Sequence, residues 1–513
     1  MSDSLSSELL WKVLRDGYAV STMDITLVLV ATLILTVLLF KIKSKATDKN
    51  RVLAPGPMGL PILGYMPFLG PRPHVKYKKL SEVYGPIVRV KMGSVDVLVL
   101  HTVQSIKEGL NKDEVLARPP YFRLRSLGMD GIVTMNGQPW LDNRRFCLHV
   151  LRDLGFGRKS MEEHIKEEIS QLCNVLRSWD GKPKAVTDVL TSSVSNNITA
   201  LLFGERFHYD DPRRHFLDTR AVKFALNASF VSALDFLPLV RNLVSHIPSS
   251  KIRITKDILM SVHDFIRQQV RERSKTHEAD VNTDFISAYL KKINENNGGN
   301  ASFNPQTLTG NALNFFGAGT NTVRASMLWH LLNCARDPEG VQKKLQQEVD
   351  KVVGLDRAPE WEDRHKMPYT MAAIWEMLRW RTVAPLGVIR AVERDTTIGG
   401  FHVPAGTVVL PNVWAVHNDP DIWERPMDFD PTRFLNADQT ELLPKPAALL
   451  SFSTGRRMCP GETLATMELF MYLATLMQRF RVLPKEGDTV SMDIFDGFIT
   501  LPLHSQEIRF IPR

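Results

Sequence analysis

The chain has 513 residues and a formal net charge of +8, with 44% hydrophobic and 23% charged residues. These proportions are typical of a folded globular protein, so they exclude a disordered chain, a collagen-like repeat and a disulfide-stabilised scaffold. The charge excess is modest for this length and gives no indication of a nucleic-acid partner.

The first predicted element is an uncharged apolar run at residues 25–40, ITLVLVATLILTVLLF. Its length approaches the roughly 20 residues that span a bilayer. The run is apolar on all faces and is followed by lysines instead of the small residues of a cleavage site. This pattern favours one N-terminal transmembrane helix over a buried core helix or a cleaved signal peptide.

The charges around this run predict its orientation. Residues 41–51 contain five basic residues and one acidic residue, whereas residues 1–24 contain four acidic and two basic residues. Because the positive side stays in the cytosol, residues 1–24 are predicted to be a short lumenal N-terminus. Residues 41–64 are predicted to be a basic linker followed by a proline-rich hinge, whose three prolines and three glycines exclude a helix.

Residues 65–513 are predicted to form one mostly α-helical domain with a small β region. Short β-like runs occur at residues 87–100, 397–411 and 498–511. Helix and strand patterns do not alternate, which argues against a doubly wound sheet. The four cysteines are widely spaced and form no CxxC pair, which favours a reducing compartment for this domain.

The most informative helix is predicted over residues 305–336, with Asn304 as its N-cap and a proline at its first position. Gly317 and Gly319 lie in its middle, where each costs about 1 kcal/mol relative to alanine. Either a ligand approaches the backbone there or a neighbouring helix crosses it. A threonine within residues 320–322 that bonds back to a carbonyl one turn earlier would open the helix further.

Glu376 and Arg379 lie three residues apart on one face of a second predicted helix. Most such pairs are surface ion pairs of little energy. The neighbouring Ile374, Trp375 and Leu378 are apolar, which favours burial, and a buried pair needs further partners.

Cys459 lies in the segment FSTGRRMCPGE, residues 452–462, just before a predicted helix whose free amides would lower the thiol pKa. Three interpretations compete. The thiol is a buried structural group, a phosphatase-type nucleophile, or an axial ligand to haem iron. The second would want an arginine six residues on, where the chain has Ala465. The other three cysteines lack such surroundings and are predicted to be core thiols.

With these residues the chain resembles the cytochromes P450, and among them the microsomal animal group that oxidises steroids and foreign compounds. The resemblance covers residues 55–513. The family signature F-x-x-G-x-R-x-C-x-G is matched by Phe452, Gly455, Arg457, Cys459 and Gly461. The resemblance implies the cytochrome P450 fold, a haem b cofactor bound around these residues, and Cys459 as the ligand of its iron.

The resemblance also implies roles for residues outside the signature. Glu376, Arg379 and Arg433 would form a buried structural network. The residues that would contact the haem propionates are Arg118, Trp140, Arg144, Arg390 and Arg457. The residues of the long helix that would serve oxygen activation are Ala318, Gly319, Asn321 and Thr322.

One position departs from the family pattern. The residue before the threonine is usually Asp or Glu, and here it is Asn321. An amide orients water but does not relay a proton by titrating. A monooxygenase is expected, and the departure leaves open a haem-thiolate isomerase or dehydratase that needs no reductase. A non-enzymatic haem-binding protein is the third alternative.

Electrons must come from outside, because the chain has no flavin or nicotinamide motif. The resemblance implies NADPH–cytochrome P450 reductase as the donor, with cytochrome b5 as a second candidate. The basic residues that would face it are Arg144, Arg145, Arg152, Arg158 and Lys159.

The expected location is the endoplasmic reticulum membrane, with a single-pass anchor and the catalytic domain facing the cytosol. Residues 230–243 resemble the family's loop that dips into the membrane, with ordinary helix packing as the alternative. Most of the charge excess lies in residues 41–51 and 72–79, which suits an anionic cytosolic leaflet. The substrate is expected to be an apolar small molecule, because most of the segments that would line its chamber are apolar.

Overall fold

The computed structural model describes residues 52–154, 159–276, 284–295, 300–495 and 497–513. The predicted lumenal segment 1–24, the transmembrane helix at 25–40, most of the basic linker and Arg158 lie outside these residues. No helix among the described residues is long and apolar enough to cross a membrane.

Helices dominate the described residues, as the sequence predicts. In chain order they are α1 (Pro73–Tyr84), α2 (Val103–Asn111), α3 (Arg123–Ser126), α4 (Gly137–Asp153), α5 (Lys159–Ser178), α6 (Thr187–Phe203), α7 (Pro212–Leu234), α8 (Pro238–Val244), α9 (Lys251–Thr276), α10 (Phe285–Glu295), α11 (Pro305–Arg336), α12 (Lys343–Val352), α13 (Pro368–Trp380), α14 (Val413–His417) and α15 (Glu462–Arg479). Short 3₁₀ segments lie at Met66–Phe68, Asp113–Val115, Trp361–Lys366 and Pro431–Phe434, and a π-helical turn at Pro338–Gln342.

The β region is small and divides into separate sheets. Its strands are β1 (Ile87–Met92), β2 (Val95–Leu100), β3 (Lys184–Ala185), β4 (Arg390–Ala391), β5 (Thr396–Ile398), β6 (Phe401–Val403), β7 (Val408–Pro411), β8 (Phe480–Pro484), β9 (Ile494–Phe495), β10 (Leu501–Pro502) and β11 (Glu507–Pro512). The largest sheet has the order β1-β2-β7-β4, in which β2 and β7 are parallel. The others are β3-β11-β8, β10-β9 and β5-β6.

The proline-rich segment lies along the edge of the largest sheet. Arg89 N donates to Pro55 O at 2.8 Å, and Tyr65 N donates to Lys91 O at 2.6 Å. A Cβ on Gly56 would lie 1.7 Å from Arg89 O, so only glycine allows this approach. The segment is therefore a fixed edge of the domain from its first described residues onward.

Helix α11 runs through the core as the 32-residue helix that the sequence predicts. The Asn304 side chain accepts a hydrogen bond from Thr307 N at 2.9 Å and caps the helix. Helices α6, α9 and α15 pack against it. Most of its residues are buried on every side, which positions its middle turns deep inside the domain.

Glu468 of α15 is a buried carboxyl group in this core. Asn197 Nδ2 donates to its Oε1 at 2.8 Å, and Oε2 has no partner among the described residues. Burial raises the pKa of Glu468 to about 8. The folded state therefore holds a proton that the unfolded chain, with a pKa near ~4.3, releases as the pH rises.

Glu468→Gln is expected to remove a pH-dependent loss of stability. Protonated Glu468 contributes fully to stability below the pKa of the unfolded chain, and this contribution is lost as the pH rises towards about 8. The free energy of unfolding should therefore fall by roughly 1–3 kcal/mol between pH ~5.5 and ~8. Urea midpoints measured across this range should fall less steeply for the variant than for the wild type. Glu507→Gln, at an exposed position of β11, is the control, and equal slopes in all three proteins would contradict this prediction.

Candidate active site

The Cys459 loop lies between the 3₁₀ segment Pro431–Phe434 and α15 and is held by its own backbone. Cys459 N donates to Phe452 O and Met458 N to Gly455 O, both at 2.9 Å. Gly455 has φ +77°, and a Cβ there would lie 2.5 Å from a carbonyl of α2, so the loop needs glycine at this position. Gly461 is the N-cap residue of α15.

Cys459 differs from the other cysteines in its accessibility. The thiols of Cys147, Cys173 and Cys334 are buried, as predicted for core groups, whereas Cys459 is partly accessible. Desolvation raises the pKa of the Cys459 thiol, although the Gly461 amide and Arg144 act in the opposite direction. The Gly461 amide thus lowers the pKa of the Cys459 thiol, as the sequence predicts, but desolvation outweighs this effect. A bound metal cation deprotonates a coordinating thiol outright.

The middle of α11 contains an accessible patch within an otherwise buried helix. Ala318 is exposed, and Gly317 and Thr322 are partly exposed, while most flanking turns are buried. A Cβ on Gly317 would have no heavy atom within 4 Å, whereas one on Gly319 would lie 2.6 Å from Ile198 Cδ1 of α6. The helix-crossing interpretation holds for Gly319, whereas Gly317 borders open space, where approach of a ligand stays a prediction.

Side chains on this patch bond back to the helix. Thr322 Oγ1 donates to Ala318 O at 2.7 Å, and Asn321 Nδ2 donates to Gly317 O at 3.3 Å. Two consecutive carbonyls beside the open space are thus engaged by side chains one turn later. Such side-chain bonds compete with the backbone N–H···O=C hydrogen bonds of the helix and loosen it locally.

Four arginines that the sequence assigned to one ligand come together in the structure. Arg118, Arg390 and Arg457 are buried, and Arg144 is half-buried. Their hydrogen bonds go to backbone carbonyls and one asparagine, and none forms an ion pair with another described residue. Burial of several cations without carboxylates is costly unless a ligand supplies the negative charge.

Burial and mutual repulsion act on the pKa values of this cluster. Desolvation, with the charge of Arg144 beside it, lowers the pKa of Arg390 to about 10. Desolvation, with Arg390 and Arg144, lowers the pKa of Arg457 to about 9, and the pKa of Arg118 is also lowered. Arg390 and Arg457 remain charged at neutral pH, so the cluster favours an anion.

The arginine cluster also contains buried N–H groups that have no hydrogen-bond acceptor among the described residues. Arg390 Nη1, Arg457 Nε and Trp140 Nε1 are buried and lack a hydrogen-bond partner among the described residues. The Arg457 guanidinium stacks on the Trp140 ring at 3.9 Å, which holds both groups in one orientation. Buried donors left open in this way indicate a ligand that carries acceptor oxygens.

These observations fit haem b. Cys459 would ligate the iron, the open space beside Gly317 would admit a flat group, and the arginine cluster would suit the two propionates. Residues 54–509 match the sequence model of the cytochrome P450 family. The chain belongs to the cytochrome P450 family. Membership establishes haem b as the cofactor and makes this cytochrome P450 a monooxygenase, an oxidoreductase, which removes the non-enzymatic alternative.

Characterised relatives extend over most of this cytochrome P450. Cytochrome P450 2A12 of Mus musculus is 34% identical over 434 residues, which cover 84% of this chain and 87% of the mouse protein. Cytochrome P450 2H2 of Gallus gallus is 34% identical over 480 residues, covering 91% and 95%. Cytochrome P450 2J2 of Homo sapiens is 32% identical over 456 residues, covering 88% and 89%.

The predicted ion pair on α13 is fully buried. Arg379 Nε donates to Glu376 Oε2 at 2.6 Å, and Arg379 Nη2 donates to Glu376 Oε1 at 2.7 Å. Arg433 Nε lies 3.4 Å from Glu376 Oε1, and Asp430 N donates to the same oxygen. Arg379 Nη1 bonds the carbonyl of His417 at 2.7 Å. The pair is thus saturated with hydrogen bonds, as a buried pair requires.

Sequence reasoning missed the asparagines that hold the loop beside the arginine cluster. Asn136 Oδ1 accepts from Arg118 N at 2.8 Å and from Arg457 Nη2 at 3.3 Å. On α11, Asn311 Oδ1 accepts from Ile132 N at 2.8 Å, and Asn314 Oδ1, one turn later, accepts from Val133 N at 2.9 Å. The spacing of three between Asn311 and Asn314 was the available signal, but their partners lie about 180 residues away.

Proposed function

We propose that this cytochrome P450 inserts one oxygen atom from O2 into an apolar small molecule, such as a steroid, lipid or xenobiotic, with electrons from NADPH–cytochrome P450 reductase. The observations that carry the proposal are the partly accessible Cys459 in a loop that contacts an un-neutralised arginine cluster, and the open patch of α11. Haem ligated by a cysteine thiolate supplies oxygen activation when it is bound.

The residues proposed to hold the haem surround Cys459. Phe452, Gly455 and Gly461 shape the loop around the iron ligand, and Gly455 brings its backbone against α2. The groups proposed to donate to the propionates are buried or half-buried guanidinium and indole groups, those of Arg118, Arg144, Arg390, Arg457 and Trp140. Arg390 therefore performs the role for which this group more commonly uses a histidine.

Thr322 is proposed to hold the proton-delivering water. Its hydroxyl hydrogen is donated to Ala318 O at 2.7 Å, which leaves the Oγ1 lone pairs free to accept from water at the exposed patch. Ala318 and Gly319 keep this turn small, so a ligand approaches the backbone there. Gly319 acts indirectly, because it lets α11 lie close to α6.

An apolar substrate is proposed because the segments around this patch are mainly apolar. Arg118 Nη1 donates to Val388 O at 2.9 Å, which ties residues 385–389 to the arginine cluster. Thr500 N donates to Val383 O at 2.9 Å, and Trp329 Nε1 of α11 donates to Thr500 O at 3.2 Å. These bonds hold residues 385–389 against the arginine cluster and the turn containing Ile499 against α11.

Dependence on a reductase separates this proposal from an isomerase or dehydratase, the alternative that Asn321 leaves open. The test is a screen for substrate-binding spectra, followed by product analysis with and without reductase and NADPH. The proposal expects oxidised product only when both are present. Product formed from the purified protein and substrate alone would favour the isomerase or dehydratase.

The electron donor is proposed to dock on the exposed face of α4, with cytochrome b5 as a second donor for the same face. Arg145 and Arg152 of α4 and Lys159 at the start of α5 are exposed, and Arg144 donates to Met458 O in the Cys459 loop at 2.7 Å. Such a basic face close to the iron ligand suits an acidic flavoprotein.

Arg145→Glu combined with Arg152→Glu is expected to weaken reductase-supported turnover by about tenfold or more at low salt and to flatten its salt dependence, because steering by these charges is lost. The measurement is turnover against reductase concentration at several ionic strengths. Arg271→Glu with Lys275→Glu, which makes the same change of charge at two exposed positions of α9, is the control. Kinetics equal to those of the wild type would contradict docking on α4.

Location in the endoplasmic reticulum membrane is proposed, with residues 1–24 lumenal, 25–40 as the anchor, 41–64 as the linker and hinge, and 65–513 as the cytosolic catalytic domain. Exposed apolar side chains support contact with lipid: Met58 is 87% and Ile62 78% exposed, and Leu239 is 80% exposed. The β1–β2 turn joins the two regions, since Gly93 N donates to Leu63 O and a Cβ on Gly93 would lie 2.5 Å from Phe236 O.

Asn227 and Asn300 are expected to remain unglycosylated in cells, because the domain carrying them faces the cytosol. Both lie in N-x-S/T sequons and are partly accessible, whereas the third sequon residue, Asn197, is buried and uninformative. A glycosidase-sensitive shift in electrophoretic mobility would contradict the proposed topology. An added sequon in residues 1–24 serves as the positive control.

A further inference from the structure

A buried arginine lies one turn after Asn321 on α11. Arg324 is 2% exposed and Asn321 is fully buried. Arg324 Nη2 donates to Asn321 Oδ1 at 3.3 Å, while Arg324 Nε has no hydrogen-bond partner among the described residues. No carboxylate within the described residues lies at ion-pair distance from Arg324. The Asn321 amide oxygen is thus its observed acceptor.

The charge of Arg324 persists despite its burial. Desolvation lowers the pKa of Arg324 to about 10, with partial compensation from Asp188 on α6, so the guanidinium is protonated at neutral pH. A buried cation of this kind destabilises the fold unless its donors are satisfied. The hydrogen bond to Asn321 therefore contributes directly to tolerating Arg324 in the core.

The same bond decides how the Asn321 amide is oriented. A guanidinium has donors only, so the amide oxygen must face Arg324. The amide nitrogen then faces Gly317 O, where it donates at 3.3 Å. Together with the bond from Thr322 to Ala318 O, this fixes both side chains that engage carbonyls at the open patch.

We propose that Arg324 is a positioning residue that locks the Asn321 amide in place and makes position 321 unable to relay protons, even when an acid is introduced there. A carboxylate beside a buried guanidinium forms an ion pair and stays ionised. Proton delivery would then depend on Thr322 and water. This inference rests on the proposed oxidation, because it assigns a route for the protons that the reaction needs.

The first measurement follows the introduced carboxyl group and requires no turnover. Infrared difference spectra against pH, variant minus wild type, are recorded for Asn321→Asp alone and combined with Arg324→Met. With Arg324 present, the carboxyl pKa should lie below its ordinary value of ~3.9; without Arg324, burial should raise it by about two units or more. Equal titration in the two backgrounds would overturn the proposal.

The second measurement is coupling, expressed as product formed per NADPH consumed, at several pH values. Coupling of Asn321→Asp should show no pH dependence that follows its carboxyl group, because the ion pair with Arg324 keeps that group ionised. The double variant should acquire a new pH dependence that follows the titration of its carboxyl group. Arg324→Met alone should lower coupling with unchanged substrate-binding spectra. Unchanged coupling in both Arg324→Met proteins would overturn the positioning role, even if the carboxyl group titrates as expected.

The same helix offers a matched control. Arg336 Nη2 donates to Asn333 Oδ1 at 2.9 Å with the same spacing of three residues, far along α11 from the open patch. Asn333→Asp and Arg336→Met should leave coupling unchanged. If Arg324→Met does not fold, Arg324→Lys retains the charge without the planar fork. Arg324→Lys should keep the introduced carboxyl group ionised while still lowering coupling. A carboxyl pKa above its ordinary value when Asn321→Asp is combined with Arg324→Lys would overturn the proposal.

Failure of this proposal is distinct from failure of the proposed function. Absence of any oxidised product in the wild type would contradict the proposed oxidation but would leave the infrared titrations interpretable. Conversely, oxidised product from the wild type, together with equal carboxyl titration in the presence and absence of Arg324, would support the proposed oxidation and overturn the role of Arg324.

Discussion

Cys459→Ala is expected to abolish the reduced carbonyl spectrum of thiolate-ligated haem and to bring oxygen-dependent turnover to background. Cys459 is the one accessible thiol among the four cysteines, all of which lie in described residues. Its backbone bond to Phe452 O does not involve the side chain, so alanine should preserve the loop. The measurements are the reduced carbonyl difference spectrum, the haem content per chain and product formation.

Cys173→Ala is the matched control for this experiment. Its thiol is 3% exposed within the core, so the substitution should cost stability through a small cavity and leave the spectrum of the remaining folded protein unchanged. A thiolate spectrum retained in Cys459→Ala, or lost in Cys173→Ala, would contradict the assignment of the ligand.

Glu376→Gln is expected to destabilise the folded protein by about 3–5 kcal/mol, the usual cost of leaving a buried charge without its partner. Arg379 would keep its bonds to backbone carbonyls but lose the carboxylate that neutralises it. Arg433 would lose its 3.4 Å contact with the same carboxylate. The urea midpoint and the yield of haem-loaded protein should both fall.

The control for this variant is Glu362→Gln, whose carboxylate is 77% exposed beside Arg364. Exposed pairs contribute at most about 1 kcal/mol, so this change should barely move the midpoint. The carbonyl spectrum of whatever Glu376→Gln protein folds should match the wild type, since Glu376 makes its contacts within the network. A midpoint equal to that of Glu362→Gln would contradict the importance assigned to the network.

Features that depend on local chemistry were predictable from the sequence. The cap and length of α11 followed from Asn304 and the helical pattern after it, and both agree with the structure. The burial of Glu376 and Arg379 followed from their apolar neighbours. Cys459 stood out because its loop has glycines and arginines that a core cysteine does not require.

Features that depend on distant partners were not predictable in the same way. The parallel pairing of β2 with β7 joins segments about 310 residues apart, and no local pattern specifies it. The pKa of the Cys459 thiol was misjudged because desolvation outweighs the Gly461 amide, and burial depends on the whole fold. Arg324 was overlooked because a lone arginine in a helix is ordinarily exposed.

Oxygen-isotope labelling tests the central claim most directly. The wild-type protein, reconstituted with reductase, NADPH and a substrate found by binding spectra, is given heavy-oxygen dioxygen in ordinary water. If Cys459 and the arginine cluster bind haem for a monooxygenase, each product molecule should contain one heavy oxygen atom, with the other released as water. Product that carries oxygen only from water, or that forms without dioxygen, would contradict the account.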